Sequence, residues 1–332
     1  MPEPRPEDDG TRAGAVIAPP PGETPSGGAW DEAAARHRII DFLSAFSIET
    51  TPREAARIAD YRDHLRPRTV VYIAHVPGSA YDGVIELAKR LRGEGFHPVP
   101  HLAARSLTHR ERLAEYLARL SGEADVEQIL FIAGDYRSPV GPFESTLDVL
   151  ETGLFERYGI GKIGVAGHPE GNRAMGRSVL RDALVRKNAY AARSAAEFYI
   201  VTQFGFDASA IVTWERSIRE DANLLPVHVG MPGLASLRTL IKYALGCGIG
   251  PSMRLLTQNA SSMANVVAIP APDQMIAALA QHRADPECAI AGVHFFPFGG
   301  LRHTAQWLHA TIDGKFTFRE GGARFDVDAT PG

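Results

Sequence analysis

The stretch AFSIETTPREAARI, Ala45 to Ile58, decides how the rest of the chain is read. Its first half has the short apolar run of a buried β-strand, and its second half has a helical pattern. Strand followed directly by helix is the unit of α/β folds, and two architectures compete for it. An open doubly wound sheet usually carries a glycine-rich phosphate loop, GxGxxG, after its first strand. Here the junction reads ETTPRE, without a glycine, so a closed (β/α)8 barrel is the expected fold. The same junction leaves a carboxylate, Glu49, at the end of an apolar run. Glu49 could cap the next helix, meet water, or serve as an acid.

The pattern repeats along the chain. Strands are expected at 44–49, 69–75, 97–102, 128–134, 162–167, 198–203, 226–231 and 290–296. Several are apolar on both faces, as parallel strands covered by helices must be. Helices are expected at 52–63, 80–94, 107–121, 143–155, 173–195, 208–220, 234–246, 273–283 and 300–311. Asp207 is placed to cap one of these helices, and Ser106 or Thr108 another. Residues 248–271 form an irregular insertion before the eighth strand. Eight strand–helix units fit one (β/α)8 TIM barrel over 30–315. Residues 1–29, rich in Pro and Gly, cannot bury enough surface to offset chain entropy and are expected to be a disordered tail. Residues 316–332 are expected to be a second, C-terminal tail.

A formal net charge of −4 offers no basic field for nucleic acid. Two cysteines in 332 residues make no disulfide framework, which fits a cytoplasmic setting. No window approaches about 18 uninterrupted apolar residues, so no membrane span is expected. Homo-oligomerisation is left open.

In such barrels the chemistry sits at the C-terminal ends of the strands. Those ends carry Glu49, His75, His101 with Arg105, Asp135, His168 with Glu170 and Asn172, Gln203, and His294. Polar residues at seven of eight strand ends suggest a ring of functional groups on one rim. One chemistry open to this ring is a metal hydrolase using His75, His101, His168 and Asp135. The first strand lacks an HxH pair, however, and no metal ligand is assigned.

The ordered set of motifs resembles the methylenetetrahydrofolate reductase family. Its members are flavin-containing (β/α)8 barrels. The carriers are Glu49 before a proline-containing loop, Pro100-His101-Leu102, Gly134-Asp135, Pro169-Glu170, and the run Thr202 to Asp207 (TQFGFD). The likeness spans roughly residues 42–312. It implies reduction of 5,10-methylenetetrahydrofolate to 5-methyltetrahydrofolate with FAD as cofactor and NADH or NADPH as electron donor, or the reverse oxidation. It implies that Glu49 is the general acid opening the imidazolidine ring, with Asp135 tuning flavin and folate. Gln203 would contact bound folate or nicotinamide, and Phe206 and Leu237 would contact folate. Ala74, His75, His101, Ala133, Asp135, His168, Glu170, Asn172 and Lys187 would approach FAD.

The sequence departs from the family pattern in places. The usual Glu-Phe-Phe-Pro-Pro is ETTP here. Ala133 replaces the arginine before Gly-Asp, and Asn172 replaces a histidine. The phosphate-binding lysine before strand six has no counterpart at its usual spacing, with Lys187 one turn earlier. Leu237 stands where an aromatic residue is usual. A folate-binding barrel without turnover, or one that serves a methyl carrier, therefore stays open beside the reductase.

Overall fold

The computed structural model describes residues 30–76, 78, 81–134, 138–172, 175–247 and 271–328. Eight parallel strands follow one another around a closed barrel in chain order. They are β1 (Ser47–Thr50), β2 (Val70–Ile73), β3 (His97–Ala103), β4 (Gln128–Ile132), β5 (Lys162–Gly167), β6 (Glu197–Phe204), β7 (Val227–Pro232) and β8 (Ile290–Phe296). The barrel closes where β1 meets β8, with Ser47 opposite His294 and Ile48 opposite Phe295. This is the (β/α)8 barrel expected from the sequence, and each expected strand is present with ends shifted by at most a few residues.

The helices are α1 (Glu32–Ser44), α2 (Pro52–Ala55), α3 (Tyr81–Gly93), α4 (Arg110–Ala124), α5 (Thr146–Leu150), α6 (Leu154–Arg157), α7 (Arg177–Ala191), α8 (Ala208–Glu220), α9 (Leu237–Cys247), α10 (Asp273–His282) and α11 (Leu301–Ile312). The longer ones among them bury one face. In α4, for example, Leu113, Tyr116, Leu117, Leu120 and Ala124 are buried at helical spacing.

Four sequence expectations need correction. The helix expected at 52–63 is only α2 followed by a 3-10 turn at Tyr61–Asp63. Asp60 accepts from the amide of Arg62, and the buried Tyr61 hydroxyl bonds Thr50 Oγ1 at 2.8 Å, which pins the turn. The helix expected at 143–155 divides into α5 and α6 because Gly153 takes a left-handed conformation, φ 69°. The cap of α4 is neither Ser106 nor Thr108 but His109, whose Nδ1 accepts from Arg112 N at 3.1 Å. The C-terminal tail expected from 316 contains an antiparallel hairpin, β9 (Phe316–Arg319) with β10 (Arg324–Val327). Phe316 and Phe325 are buried, and Phe325 stacks on Trp307 of α11. Arg36 of α1 lies over the Phe316 ring and donates to the carbonyls of Gly314 and Phe316.

α1 itself precedes the first strand. It buries Ala35, Ile39, Phe42 and Leu43 and packs against α10 and α11. The expected 1–29 tail, most of the 248–271 insertion, and Asp135 lie outside the described residues. Among the described residues, no helix is long and apolar enough to cross a membrane.

Candidate active site

The barrel interior is closed off by a hydrogen-bonded pair that crosses it. Tyr72 on β2 and Tyr199 on β6 meet hydroxyl to hydroxyl at 2.7 Å, and Gln128 of β4 donates to Tyr199 at 2.9 Å. Val99, Leu130 and Val201 pack around them. Gly164 on β5 makes room for this crossing. A Cβ there would lie 2.6 Å from the Tyr199 hydroxyl oxygen. Strand alternation then places the next inward residues, two positions further along, towards the C-terminal rim.

Glu49 and His101 belong to that upper layer, with the ring of Tyr72 beside them. His101 Nε2 lies 3.4 Å from Glu49 Oε2, and His294 Nε2 lies 3.9 Å from the same oxygen. Both histidine nitrogens are buried and without a hydrogen-bond partner. Tyr72 faces both imidazoles, with ring centroids 4.3 Å from His294 and 6.0 Å from His101. Glu49 is not the cap of the following helix. That role falls to Thr51, whose Oγ1 accepts from Glu54 N at 3.1 Å, with Pro52 opening α2.

Burial raises the pKa of Glu49, against an opposing pull from His101. Burial also lowers His101 to about 4, with Glu49 pulling the other way and His294 and His75 adding to the depression. His294 is pushed down to about 3 by burial. Both imidazoles are thus neutral near pH 7, and the Glu49 contacts are not ion pairs there. A carboxyl held in this way keeps its proton to a higher pH than a solvated one, as a general acid requires.

The other sequence-predicted residues fall around the same rim. His75, just beyond β2, stacks on Tyr81 with centroids 4.9 Å apart, and both its ring nitrogens are buried without a partner. The amide of Ala74 is engaged by Thr50 O at 2.9 Å, and the carbonyl of Ala133 accepts from Arg105 N at 3.0 Å. Gln203 donates from Nε2 to Gly171 O at 3.0 Å. That bond ties the end of β6 to the turn bearing His168, Glu170 and Asn172. Gly171 has φ 88°, a left-handed conformation that glycine accepts without cost.

Beside this turn a cleft of about 390 Å³ opens between α7 and α8, lined in part by His168, Arg177, Arg181, Asn188 and Trp214. Burial lowers His168 to about 4, with Lys187 adding to the effect. Lys187 of α7 is itself buried and lowered to about 8.

Phe206 and Leu237 are brought together in one apolar cluster with Ala235, Leu240 and Phe298. Here sequence reasoning missed a feature. The run FFPFGG, Phe295 to Gly300, supplies an aromatic strip. Phe298 stacks on Phe296 and on Tyr243 of α9, the latter at 4.3 Å between centroids. Phe298 also has φ 50°, uncommon for a bulky residue and of the kind that clusters at functional sites. The period-2 pattern of β8 gave no sign that the strip continues past the strand.

Glu215, His282 and Cys288 form a group of metal-ligand type on the outer face of the barrel. Glu215 is already engaged, by Ala289 N at 2.9 Å, Arg219 at 3.0 Å and His282 at 3.1 Å. A structural role accounts for this group.

No known protein-family model matches the chain. Solved structures with a similar course of the backbone include deoxyribose phosphate aldolase from Aeropyrum pernix, at 11% identity and TM-score 0.38, covering 84% of this chain and 99% of that one. Pyruvate carboxylase from Rhizobium etli matches at 12% identity and TM-score 0.42, covering 89% of this chain and 29% of that one. An endo-β-1,4-mannanase from Cellulomonas fimi matches at 13% identity and TM-score 0.40, covering 79% and 68%. Likeness at this level assigns no chemistry to the chain.

Proposed function

We propose that this barrel is a flavin-dependent reductase of 5,10-methylenetetrahydrofolate, using NADH or NADPH. The observation that carries the reading is Glu49, a partly buried carboxyl of raised pKa at the end of β1, beside the neutral His101 of Pro100-His101-Leu102. Opening the substrate's five-membered ring needs a proton delivered to a ring nitrogen. A carboxyl does this near neutral pH only when its pKa is lifted from the ordinary ~4.3. The ordered motifs that carry the resemblance, from Glu49 to the run Thr202 to Asp207, are the second support.

The residues fit a flavin on one physical criterion. His75 and His101 hold buried ring nitrogens without partners, and such atoms are costly unless a ligand satisfies them. His75, His101 and the turn around His168 would hold the cofactor, and the cationic side chains of Arg177 and Lys187 would meet its phosphates. When bound, the flavin supplies the hydride chemistry. The protein's own part is to deliver a proton from Glu49, to orient the substrate through Gln203, and to stack it on the apolar strip around Phe206, Leu237 and Phe298.

The test is spectroscopic. Protein reconstituted with FAD should be yellow, be bleached anaerobically by NADH or NADPH, and recover its colour on addition of methylenetetrahydrofolate. A protein that takes up no FAD refutes the reading. Folate binding without flavin reduction would instead favour a binding subunit.

A further inference from the structure

Glu215 stands on the buried stripe of α8, between Ile211 and Ile218, and has no solvent exposure. A carboxylate on a core stripe breaks the amphipathic rule, and buried charges persist where they are paired or hold a metal. Backbone turns bring two further ligand types to it. Asp285 N donates to His282 O and Cys288 N to Asp285 O, each at 3.0 Å, so the chain after α10 folds back and sets Cys288 beside His282. One ligand atom from each of Glu215, His282 and Cys288 lies within 4.8 Å of the other two.

The geometry divides the Glu215 carboxylate between two tasks. Oε1 accepts from Ala289 N at 2.9 Å and lies 3.0 Å from Arg219 Nε. Oε2 faces His282 Nε2 at 3.1 Å. Holding one oxygen from behind orients the other, as outer hydrogen bonds do for a ligating carboxylate. Zinc bonds of about 2.0–2.3 Å at tetrahedral angles put ligand atoms roughly 3.3–3.6 Å apart. The separations here, from 3.1 Å to at most 4.8 Å, bracket that edge. Charge points the same way. Arg219 is the shared partner of Glu215, Asp285 and Glu287, so three carboxylates meet one guanidinium. A divalent cation makes up the deficit, and a thiolate with an imidazole favours zinc over magnesium or calcium.

We propose that Glu215 Oε2, His282 Nε2 and the Cys288 thiolate bind one zinc ion, with water in the fourth position. On binding, the thiol releases its proton to solvent, and His282 carries its own on Nδ1. The ion's role is structural. It ties α8 to the end of α10 and to the segment entering β8, whose Ala289 donates to Glu215 and accepts from Val227 N of β7. The group lies on the outer face of the barrel, so this inference goes beyond the proposed reductase and stands or falls independently of it.

Cobalt(II) reports such a site through a thiolate-to-metal charge-transfer band. The full chain, stripped with a chelator and kept reduced, should develop this band with one equivalent of Co²⁺, and Zn²⁺ should displace it. Cys288→Ser keeps the ion pairs. It should abolish the band and weaken Zn²⁺ binding at least about tenfold, measured by competition with a chromophoric chelator. Cys247→Ser should leave both unchanged. Excess Zn²⁺ should raise the melting temperature of the unmodified protein by a few degrees and leave that of Cys288→Ser where it is. If Cys288→Ser does not fold, His282→Gln decides, with the same loss of affinity expected. No band with Co²⁺, a band that survives Cys288→Ser, or a melting temperature unmoved by Zn²⁺ overturns the proposal and leaves the group held by its hydrogen bonds and ion pairs alone. None of these readouts involves flavin or folate, so failure here is distinct from failure of the reductase.

Discussion

His101 Nε2 lies 3.4 Å from Glu49 Oε2, yet burial keeps the imidazole neutral and lifts the carboxyl's pKa. The pair is thus a proton site rather than a salt bridge. Desolvation outweighs attraction because neither partner keeps enough water to carry a charge cheaply. Replacing Glu49 by Gln preserves shape and removes the proton. On the proposed reductase reading, folate reduction should fall by roughly 10²–10⁴, the usual worth of a positioned acid. Reduction of bound flavin by NADH or NADPH should continue. Stopped-flow measurement of the two half-reactions separates these outcomes, and full folate turnover in Glu49→Gln would remove the assignment.

The buried histidines predict a steep acid limb in stability. His101, His168 and His228 are lowered to about 4 and His294 to about 3, from an ordinary value near 6.5. Between pH 6.5 and about 4 the unfolded chain binds protons that the native state refuses, so stability rises with pH across that window and is lost on acidification. Glu49 works in the opposite sense. Its raised pKa means the native state holds a proton the unfolded state has released, so its contribution declines as pH rises above 4.5. One carboxyl does not cancel four imidazoles. His228→Phe, which keeps the ring packed against Tyr199, should flatten the acid limb by up to about 3 kcal/mol. Melting temperature recorded from pH 4 to 8 for the two proteins checks this.

Much of this fold was legible because its strands obey a strong rule. Buried parallel strands are apolar on both faces, and runs such as ILFI and YIV stand out against any helix. The rim was legible for the same reason, since a polar residue ending such a run has few places to go. Other features carry no periodic signal. α1 was passed over because a βα repeat does not require a helix before its first strand. The hairpin at 316–327 hides in a glycine-rich stretch where only Phe316 and Phe325 mark a core. The approach of His294 to Glu49 depends on barrel closure, which sets β8 beside β1 across some 250 residues of sequence, and no local pattern encodes it. Phe298 and Tyr243 meet for a like reason, one from the turn after β8 and the other from α9.

Gly164 carries a stability prediction. A methyl group there would meet both the Tyr199 hydroxyl and Leu130, and Tyr199 has little freedom because Tyr72 and Gln128 hold its oxygen. Gly164→Ala should cost about 1–3 kcal/mol by overpacking, despite the lower backbone entropy of alanine in the unfolded chain. Urea unfolding should show a lower midpoint with an unchanged slope. A neutral result would mean that the tyrosine pair has room to move.

The C-terminal hairpin should be part of the cooperative unit. Phe325 is buried against Trp307 and Phe316, and its amide donates to Asp273, which also pairs with Arg324 at 3.1 Å. Phe325→Ala should destabilise the barrel by about 3–5 kcal/mol. Asp326→Ala, on the same strand with its side chain half exposed, should change stability by under about 1 kcal/mol. Chemical denaturation of both variants checks the contrast. If Phe325→Ala were as mild as Asp326→Ala, the hairpin would be an appendage of the barrel rather than part of it.

Lys187 separates binding from folding most sharply. It is a buried cation on α7 whose pKa burial lowers to about 8, so at neutral pH the protein bears the cost of holding an ammonium out of water. Natural sequences retain such groups where a ligand repays the cost, and a phosphate-bearing cofactor beside His168 would do so. Lys187→Met keeps the stem and removes the charge. The cofactor-free protein should then melt at the same or a higher temperature, whereas affinity for FAD, followed by fluorescence quenching, should drop at least about tenfold, or 1.4 kcal/mol. A loss of stability with unchanged FAD affinity would reverse the assignment, making Lys187 a structural cation whose partner is the protein itself.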